Sequence, residues 1–252
     1  MTTPGRVHLP PLGGAVEWLN SEPLDPAGLR GRVAHGHPRR SAAIVSAAVT
    51  APEITIATPA DRPAVVGSLV AAFVKDPVLR YLFPDEETYP RYAAAFFGNL
   101  FDKRVHRSSI WTIGGGASVA IWEPPADGSL APEGSLAAHY PADVLGRVEG
   151  YDAAVHAALP EFPYWYLGVL GTHPDSAGRG WGRAVMRAGL DRAAADGLPA
   201  ILETSKPANV ELYRRAGWEV VRYVAEPLPT WIMQQPGAAQ SGTSSHVVPG
   251  GR

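Results

Sequence analysis

The stretch His173-Pro174-Asp175-Ser176-Ala177-Gly178-Arg179-Gly180-Trp181-Gly182-Arg183-Ala184 gathers residue types that hold a polyanion through the main chain. Gly178, Gly180 and Gly182 lack a Cβ, so backbone can approach a ligand closely. An apolar strand precedes the loop and a helix follows it. The helix turns its free N–H groups and the positive end of its dipole back onto the loop. A pyrophosphate suits such a cradle, and Arg179 and Arg183 add charge. A flexible glycine connection is the plain alternative. Two other phosphate loops fail on spacing. A P-loop needs Gly-Lys-Ser/Thr, whereas Gly182 is followed by Arg183-Ala184. A dinucleotide fingerprint begun at Gly178 needs its last glycine where Arg183 stands. Glu203 does lie where a ribose-binding acid belongs, but too little chain follows it to complete a doubly wound sheet.

The elements that must position this loop can be read from periodicity. Ile54-Thr55-Ile56-Ala57 alternates like a strand. Thr58-Pro59-Ala60-Asp61 has the chemistry of a helix start, with a Thr cap, Pro at the first position and an acid in the first turn. Val65, Val66, Leu69, Val70 and Phe73 follow at helical spacing. Asp76-Pro77 breaks that helix, a short second one covers Val78 to Phe83, and a third runs from Tyr89 to Arg104. Ser109 to Ile113 and Ala117 to Trp122 form a hairpin around Gly114-Gly115-Gly116. Residues 124–141 are loop-rich, and Ala142 to Leu159 is helical in parts. Tyr164 to Thr172 is the apolar strand before the glycine loop. Then come a helix over Gly178 to Asp196, ended by Gly197, a strand over Ala200 to Thr204, and a short helix over Asn209 to Ala216. Two final strands cover Trp218 to Val224 and Thr230 to Gln234. This order predicts a mixed sheet with helices on both faces.

Composition narrows the function classes. The chain has 252 residues, 46% of them apolar, which supports a sizeable core. The net charge of −2 carries no basic excess of the kind that marks nucleic-acid binders. No cysteine is present, so disulfides, thiolate nucleophiles and Cys-metal sites are excluded. The apolar runs are shorter than the ~20 residues of a membrane span. His35-Gly36-His37 has no third ligand nearby, and no metal site is expected. Residues 1–52 lack a clear element order and are expected to be a poorly ordered extension. Its Arg39-Arg40 ahead of the apolar run Ala42 to Ala51 looks like a twin-arginine signal behind too long a leader; an Ala-rich linker is the plainer reading. The ordered domain is expected over 53–235 and a disordered tail over 236–252.

Beyond these readings the chain resembles the GNAT acetyltransferase superfamily. The family pattern Gln/Arg-x-x-Gly-x-Gly/Ala is met at Gly180 and Gly182, with Thr172-His173-Pro174 upstream. Ala177 stands at the Gln/Arg position, which removes a side-chain contact and leaves the backbone cradle. A second family element, Asn-x-x-x-x-Tyr near Gly-Phe, is approached by Asn209 and Tyr213 at spacing four, then Gly217 and the aromatic Trp218. Residues 54–235 are similar to the puromycin N-acetyltransferase branch, in Ala71-Ala72-Phe73 before Asp76-Pro77, Val119-Ala120-Ile121-Trp122, Trp165-Tyr166-Leu167, Leu202-Glu203-Thr204-Ser205 and Thr230-Trp231-Ile232-Met233. The resemblance implies an α/β (α+β) GNAT fold, a mostly antiparallel sheet of six to seven strands with helices on both faces. It also implies acetyl-CoA as co-substrate, direct acetyl transfer to a small-molecule amine, an antibiotic or xenobiotic for this branch, and a cytoplasmic monomer or homodimer.

The same resemblance assigns roles. Leu170, Gly171 and Thr172 would supply backbone to the pantetheine arm and an N–H to the oxyanion at a strand bulge. A packing glycine is the other account of Gly171. Ala177, Gly178, Arg179, Gly180, Trp181, Gly182 and Arg183 would hold the pyrophosphate. Tyr213 would protonate the leaving thiolate, as a phenol of pKa about 10 can while charge builds on a sulfur whose thiol has pKa about 8.5. Asn209 would bond the CoA arm or order the loop, with a helix cap as the alternative. The attacking amine must be neutral, and Glu203 or Glu123 can take its proton, directly or through water. Glu203 can equally be a structural acceptor of loop amides. Phe73, Tyr81, Trp122, Tyr164 and Trp165 would form an aromatic acceptor site, against the alternative that they are ordinary core. A non-catalytic acetyl-CoA sensor and a protein lysine or N-terminal acetyltransferase are the rival functions.

Overall fold

The computed structural model describes residues 53–125 and 139–237. The readings of the N-terminal extension, its Arg39-Arg40 and His35/His37 pairs, and the tail beyond 237 fall outside these residues. Seven strands form one sheet in the order β1-β2-β3-β4-β5-β7-β6. They are β1 Ile54–Ile56, β2 Ile110–Ile113, β3 Ser118–Glu123, β4 Trp165–Thr172, β5 Ala200–Thr204, β6 Glu219–Val224 and β7 Thr230–Gln235. Every pairing is antiparallel except β4 with β5. The helices are α1 Arg62–Ala72, α2 Pro77–Leu82, α3 Tyr89–Arg104, α4 Ala142–His156, α5 Trp181–Ala195 and α6 Pro207–Arg215.

Local chemistry explains the main boundaries. Asp61 closes the turn before α1: its Oδ2 accepts from the Thr58 N–H at 2.7 Å and the Thr58 hydroxyl at 2.8 Å. Asp76 caps α2, its Oδ1 accepting the Leu79 N–H at 2.7 Å ahead of Pro77. Gly114, Gly115 and Gly116 all have positive φ, which glycine alone adopts without strain, and they turn β2 into β3. Gly197 (φ 70°) and Gly217 (φ 91°) follow α5 and α6 in the left-handed conformation of helix ends.

The sheet divides the core into two layers. On one face α1–α4 bury Leu69, Phe73, Phe96, Phe97, Val169 and Ile201, among others. On the other, α5 and α6 cover Trp122, Leu167, Leu170, Leu202, Tyr213 and Trp218. All of β4 is buried, as a central strand between two helical layers must be. Within β4 the alternation breaks once. Leu167 pairs with Trp122 and Val169 with Ile121, so Gly168 is an extra residue opposite β3, a β-bulge. The bulge moves the strand's phase: Tyr166 and Val169 face α1–α4, while Leu167 and Leu170 face α5.

Candidate active site

The glycine loop leaves the end of β4 through a single 3-10 turn, Pro174–Ser176, which is tied to the hairpin by His173 N–H donating to Ala117 O at 2.8 Å. Gly178 (φ 76°) and Gly180 (φ 73°) adopt conformations closed to other residues, and a Cβ at either would meet nothing within 4 Å. Their role is therefore to shape the backbone; no packing demand excludes a side chain there. Gly180 directly precedes α5, so the first-turn N–H groups of a 15-residue helix open beside an exposed loop. Ala177 to Gly180 are exposed, as is Arg183, while Gly182 is buried inside the first turn. Arg179 lays its guanidinium 5.0 Å from the centre of the Trp181 ring, and Trp181 rests on the turn at Gly114.

Beside this loop the sheet comes apart. Pairing of β4 with β5 covers only Trp165, Tyr166 and Leu167 against Ala200, Ile201 and Leu202. Beyond Leu167, β4 keeps its partner β3 through to Thr172, whereas β5 continues on β7 alone. The β5-facing edge of Gly168 to Thr172 thus has no partner strand among the described residues, and this slot runs toward the glycine loop. Leu170, Gly171 and Thr172 line it. They do not form the bulge expected there. Gly171 pairs regularly with Val119, and the irregularity lies at Gly168. Gly171 is instead a site of close approach: a Cβ would fall 2.6 Å from Leu69 Cδ2 and 2.8 Å from Phe73 Cε2.

Three polar residues lie buried on the two faces of the sheet, two on α6 and one at the end of β5. Tyr213 sits in the second turn of α6, fully buried, its ring 6.1 Å from that of Trp218. Asn209 precedes it by one turn. It is buried, its Nδ2 has no hydrogen-bond partner among the described residues, and it lies inside α6 behind the N-cap Lys206. A capping role is therefore ruled out by position. On the α1–α4 face, Glu203 is buried, with Oε2 accepting the Tyr166 hydroxyl and Oε1 unpartnered among the described residues. Burial pushes its carboxyl well above the usual carboxylate range, and the Tyr166 hydrogen bond offsets only part of that. The loop amides expected to bond Glu203 are not its recorded partners; a tyrosine hydroxyl holds it.

The second candidate base is otherwise engaged. Glu123 Oε2 lies 2.6 Å from Arg104 Nε, and Glu123 Oε1 lies 2.7 Å from Arg107 Nη1. Both of its carboxylate oxygens are thus already engaged by guanidinium groups.

The expected aromatic acceptor site is divided by the sheet. Trp122 and Trp165 belong to the α5 face. Trp122 is fully buried, so close to α5 that a Cβ on Gly189 would sit 2.2 Å from its ring. Trp165 donates its ring N–H to Asp196 at 2.9 Å. Phe73 is fully buried core of the other layer, stacked edge-on to Phe97 at 5.0 Å. Only Tyr81 and Tyr164 are partly open, both on the α1–α4 face. Tyr164 adjoins Tyr166, ring centres 6.3 Å apart, and its hydroxyl is pushed up to about 12 by burial, then by the Glu203 charge.

Residues near Glu203 that the sequence reading passed over are Tyr166, whose hydroxyl it accepts, and Tyr151. Tyr166 is disguised as one apolar position in an apolar strand. Among the described residues no group of three or more His, Asp or Glu could hold a metal ion, and no helix is long and apolar enough to cross a membrane.

Residues 116–218, from the hairpin turn to the start of β6, match the model of the acetyltransferase (GNAT) family. Among solved structures, the fold is similar to a histone acetyltransferase HPA2 and related acetyltransferase from Corynebacterium glutamicum, with TM-score 0.53 and 24% identity over 74% of this chain and 97% of that one. It is also similar to SsHAT, with TM-score 0.50 and 20% identity over 73% and 97%. The fold is the GNAT fold. The match to the acetyltransferase (GNAT) family model covers the glycine loop, α5, β5 and α6.

Proposed function

We propose that this enzyme transfers acetyl from acetyl-CoA directly to the primary amine of a small molecule. The observation that carries the reading is the parting of β4 from β5 beside an open glycine loop at the N-terminus of α5. The loop from Ala177 to Arg183 takes the pyrophosphate, and the free edge of Leu170, Gly171 and Thr172 takes the extended arm as an added strand would. Asn209, with an unspent amide N–H group, bonds the arm from the α6 side. Acetyl-CoA supplies the activated acyl group. Glu203 takes the proton of the amine on one face, and Tyr213 gives a proton to the departing sulfur on the other. This disposition separates acid from base by the thickness of the sheet, so neither neutralises the other. The acceptor enters on the Glu203 side, past Tyr164 and Tyr81. An antibiotic-like or xenobiotic amine, as in the puromycin-acetylating branch, is the acceptor this reading favours, in a cytoplasmic enzyme.

The test is thiol release from acetyl-CoA with puromycin, aryl amines, aliphatic amines, aminoglycosides and a Lys peptide. The signal is clean because the chain has no cysteine. Release with a small amine supports the proposal. Release with the peptide alone redirects it to a protein acceptor. Binding of acetyl-CoA without release overturns it in favour of a sensor module.

A further inference from the structure

Resting on that reading, we propose that Tyr166 is a positioning residue of the transfer. Its hydroxyl fixes Oε2 of Glu203, so that Oε1 is the atom that takes the proton of the amine.

Tyr166 stands on the stretch of β4 that still pairs with β5, opposite Ile201, and both belong to the α1–α4 layer. Glu203 lies two residues beyond Ile201, so its side chain emerges on the same face of the sheet. It is the first residue of β5 past the last pair, Leu167 with Leu202. The next residue on β4, Gly168, has no side chain. Glu203 therefore stands where the two strands part, and the Tyr166 ring reaches diagonally across to it from the paired side. Packing fixes that ring. Tyr166 is 2% exposed, and the Tyr164 ring meets it at 6.3 Å between centres. Its neighbour on β3 is Glu123, whose two oxygens are held by Arg104 and Arg107.

An ionised carboxylate only accepts hydrogen bonds, so in this pair the phenol donates. Burial, and then the Glu203 charge, push the Tyr166 hydroxyl well above its usual range, so it keeps its proton. The proton of the amine then goes to the other oxygen. Oε1 is buried and has no hydrogen-bond partner among the described residues. The N–H bond breaks, an O–H bond forms at Oε1, and the electron pair stays on nitrogen for attack on the acetyl carbon. The Tyr166 O–H bond remains intact throughout.

The same hydrogen bond sets when Glu203 can act. Burial raises its carboxyl, the hydrogen bond from Tyr166 pulls it down, and Asp152 on α4 adds to the rise. The charge of Glu203 also reaches the hydroxyls of Tyr164, just ahead of β4, and Tyr151 on α4, and Asp76 at the cap of α2 acts on Tyr151. Among these side chains Tyr166 is the one that opposes burial.

The test is Tyr166→Phe, which keeps the ring and removes the hydroxyl. Thiol release is followed as a function of pH with an amine that the wild-type chain accepts. The midpoint of the rise in kcat should move up by at least about one pH unit, since a hydrogen bond to the charged form is lost. The acetyl-CoA KM should change by less than about twofold. A bond that only braces the fold would lower kcat or stability without moving the midpoint, and an unmoved midpoint overturns the proposal. The carboxyl itself is read by NMR of the full chain with isotope-labelled glutamate, its signal identified by its loss in Glu203→Gln. The same upward shift is expected there in Tyr166→Phe. A shifted carboxyl in a chain that releases no thiol with any amine supports the pairing and overturns acetyl transfer. Thiol release with an unshifted carboxyl does the reverse. Should Tyr166→Phe fail to fold, the wild-type chain with isotope-labelled tyrosine carries the test. The hydroxyl-bearing ring carbon of Tyr166 should then shift in step with the Glu203 carboxyl, and a carbon that does not respond overturns the pairing.

Discussion

At the residue scale, the duties proposed for Glu203 and Tyr213 are opposite and differ in how they can be tested. Tyr213→Phe keeps the ring that packs on Trp218 and removes only the hydroxyl. We expect kcat to fall by more than about tenfold with little change in melting temperature; unchanged turnover would take Tyr213 out of the mechanism. Glu203 must be ionised to accept a proton, and burial raises its pKa, so kcat should climb with pH as the group deprotonates. In Glu203→Gln that dependence passes to the amine itself, and the lost rate should return at high pH. A loss that is flat with pH would mean that Glu203 only holds Tyr166. Asn209→Ala removes an amide with no partner among the described residues. It should raise the acetyl-CoA KM several-fold, and an unchanged KM would show that the amide does not touch the cofactor.

At the element scale, two glycines mark where helices press on the sheet. Alanine at Gly189 would drive a methyl group into the Trp122 ring, and alanine at Gly171 would drive one into Leu69 and Phe73. Each should destabilise the fold by about 1–3 kcal/mol, read as a lower denaturation midpoint. For Gly171→Ala the split is informative. Lost stability with acetyl-CoA KM retained assigns this glycine to packing. The elements themselves were largely legible. Apolar spacing marks α1 and α3, Gly114 to Gly116 mark the hairpin, and Gly197 and Gly217 mark the ends of α5 and α6. The bulge was not legible, because Gly168 and Gly171 are equivalent glycines in an apolar run until the partner strand shows which is skipped. Nor was the division of the aromatics. Trp122, Tyr164 and Trp165 look alike in sequence, and only the strand phase separates Tyr164 from the two tryptophans.

At the scale of the whole molecule, a buried acid is a load on stability that depends on pH. Glu203 and Asp76 have folded pKa values above their unfolded ones. The folded chain therefore binds more protons between those limits. Their contribution is most favourable below the unfolded pKa of ~4 and is lost as pH rises toward the folded values. Across that window the melting temperature of Glu203→Gln should fall less than that of the parent. A parallel fall in both would mean that Glu203 is already ionised in the fold. The order of strands and helices carried the fold class, because a long apolar strand, a glycine loop and a helix in succession have few arrangements on a mixed sheet. The grouping of Tyr151, Tyr166 and Glu203 was not legible for the opposite reason. Its members come from α4, β4 and β5, and nothing local joins them.

The bulge at Gly168 has a consequence for how chain length can vary in this fold. Connections between elements absorb insertions and deletions because no side chain there must keep its parity. β4 is the reverse case everywhere but at the bulge. Loss of the extra residue Gly168 would restore plain alternation, with Leu167 still toward α5 and Val169 and Gly171 still toward α1–α4. Loss of Val169 instead would turn every later side chain over, and Thr172 would take the place of Gly171 under Leu69 and Phe73, where not even a methyl group has room. A one-residue gap at Gly168 when related chains are compared is therefore a minor trimming. The same gap one position later asserts a different inner surface on both sides of the slot.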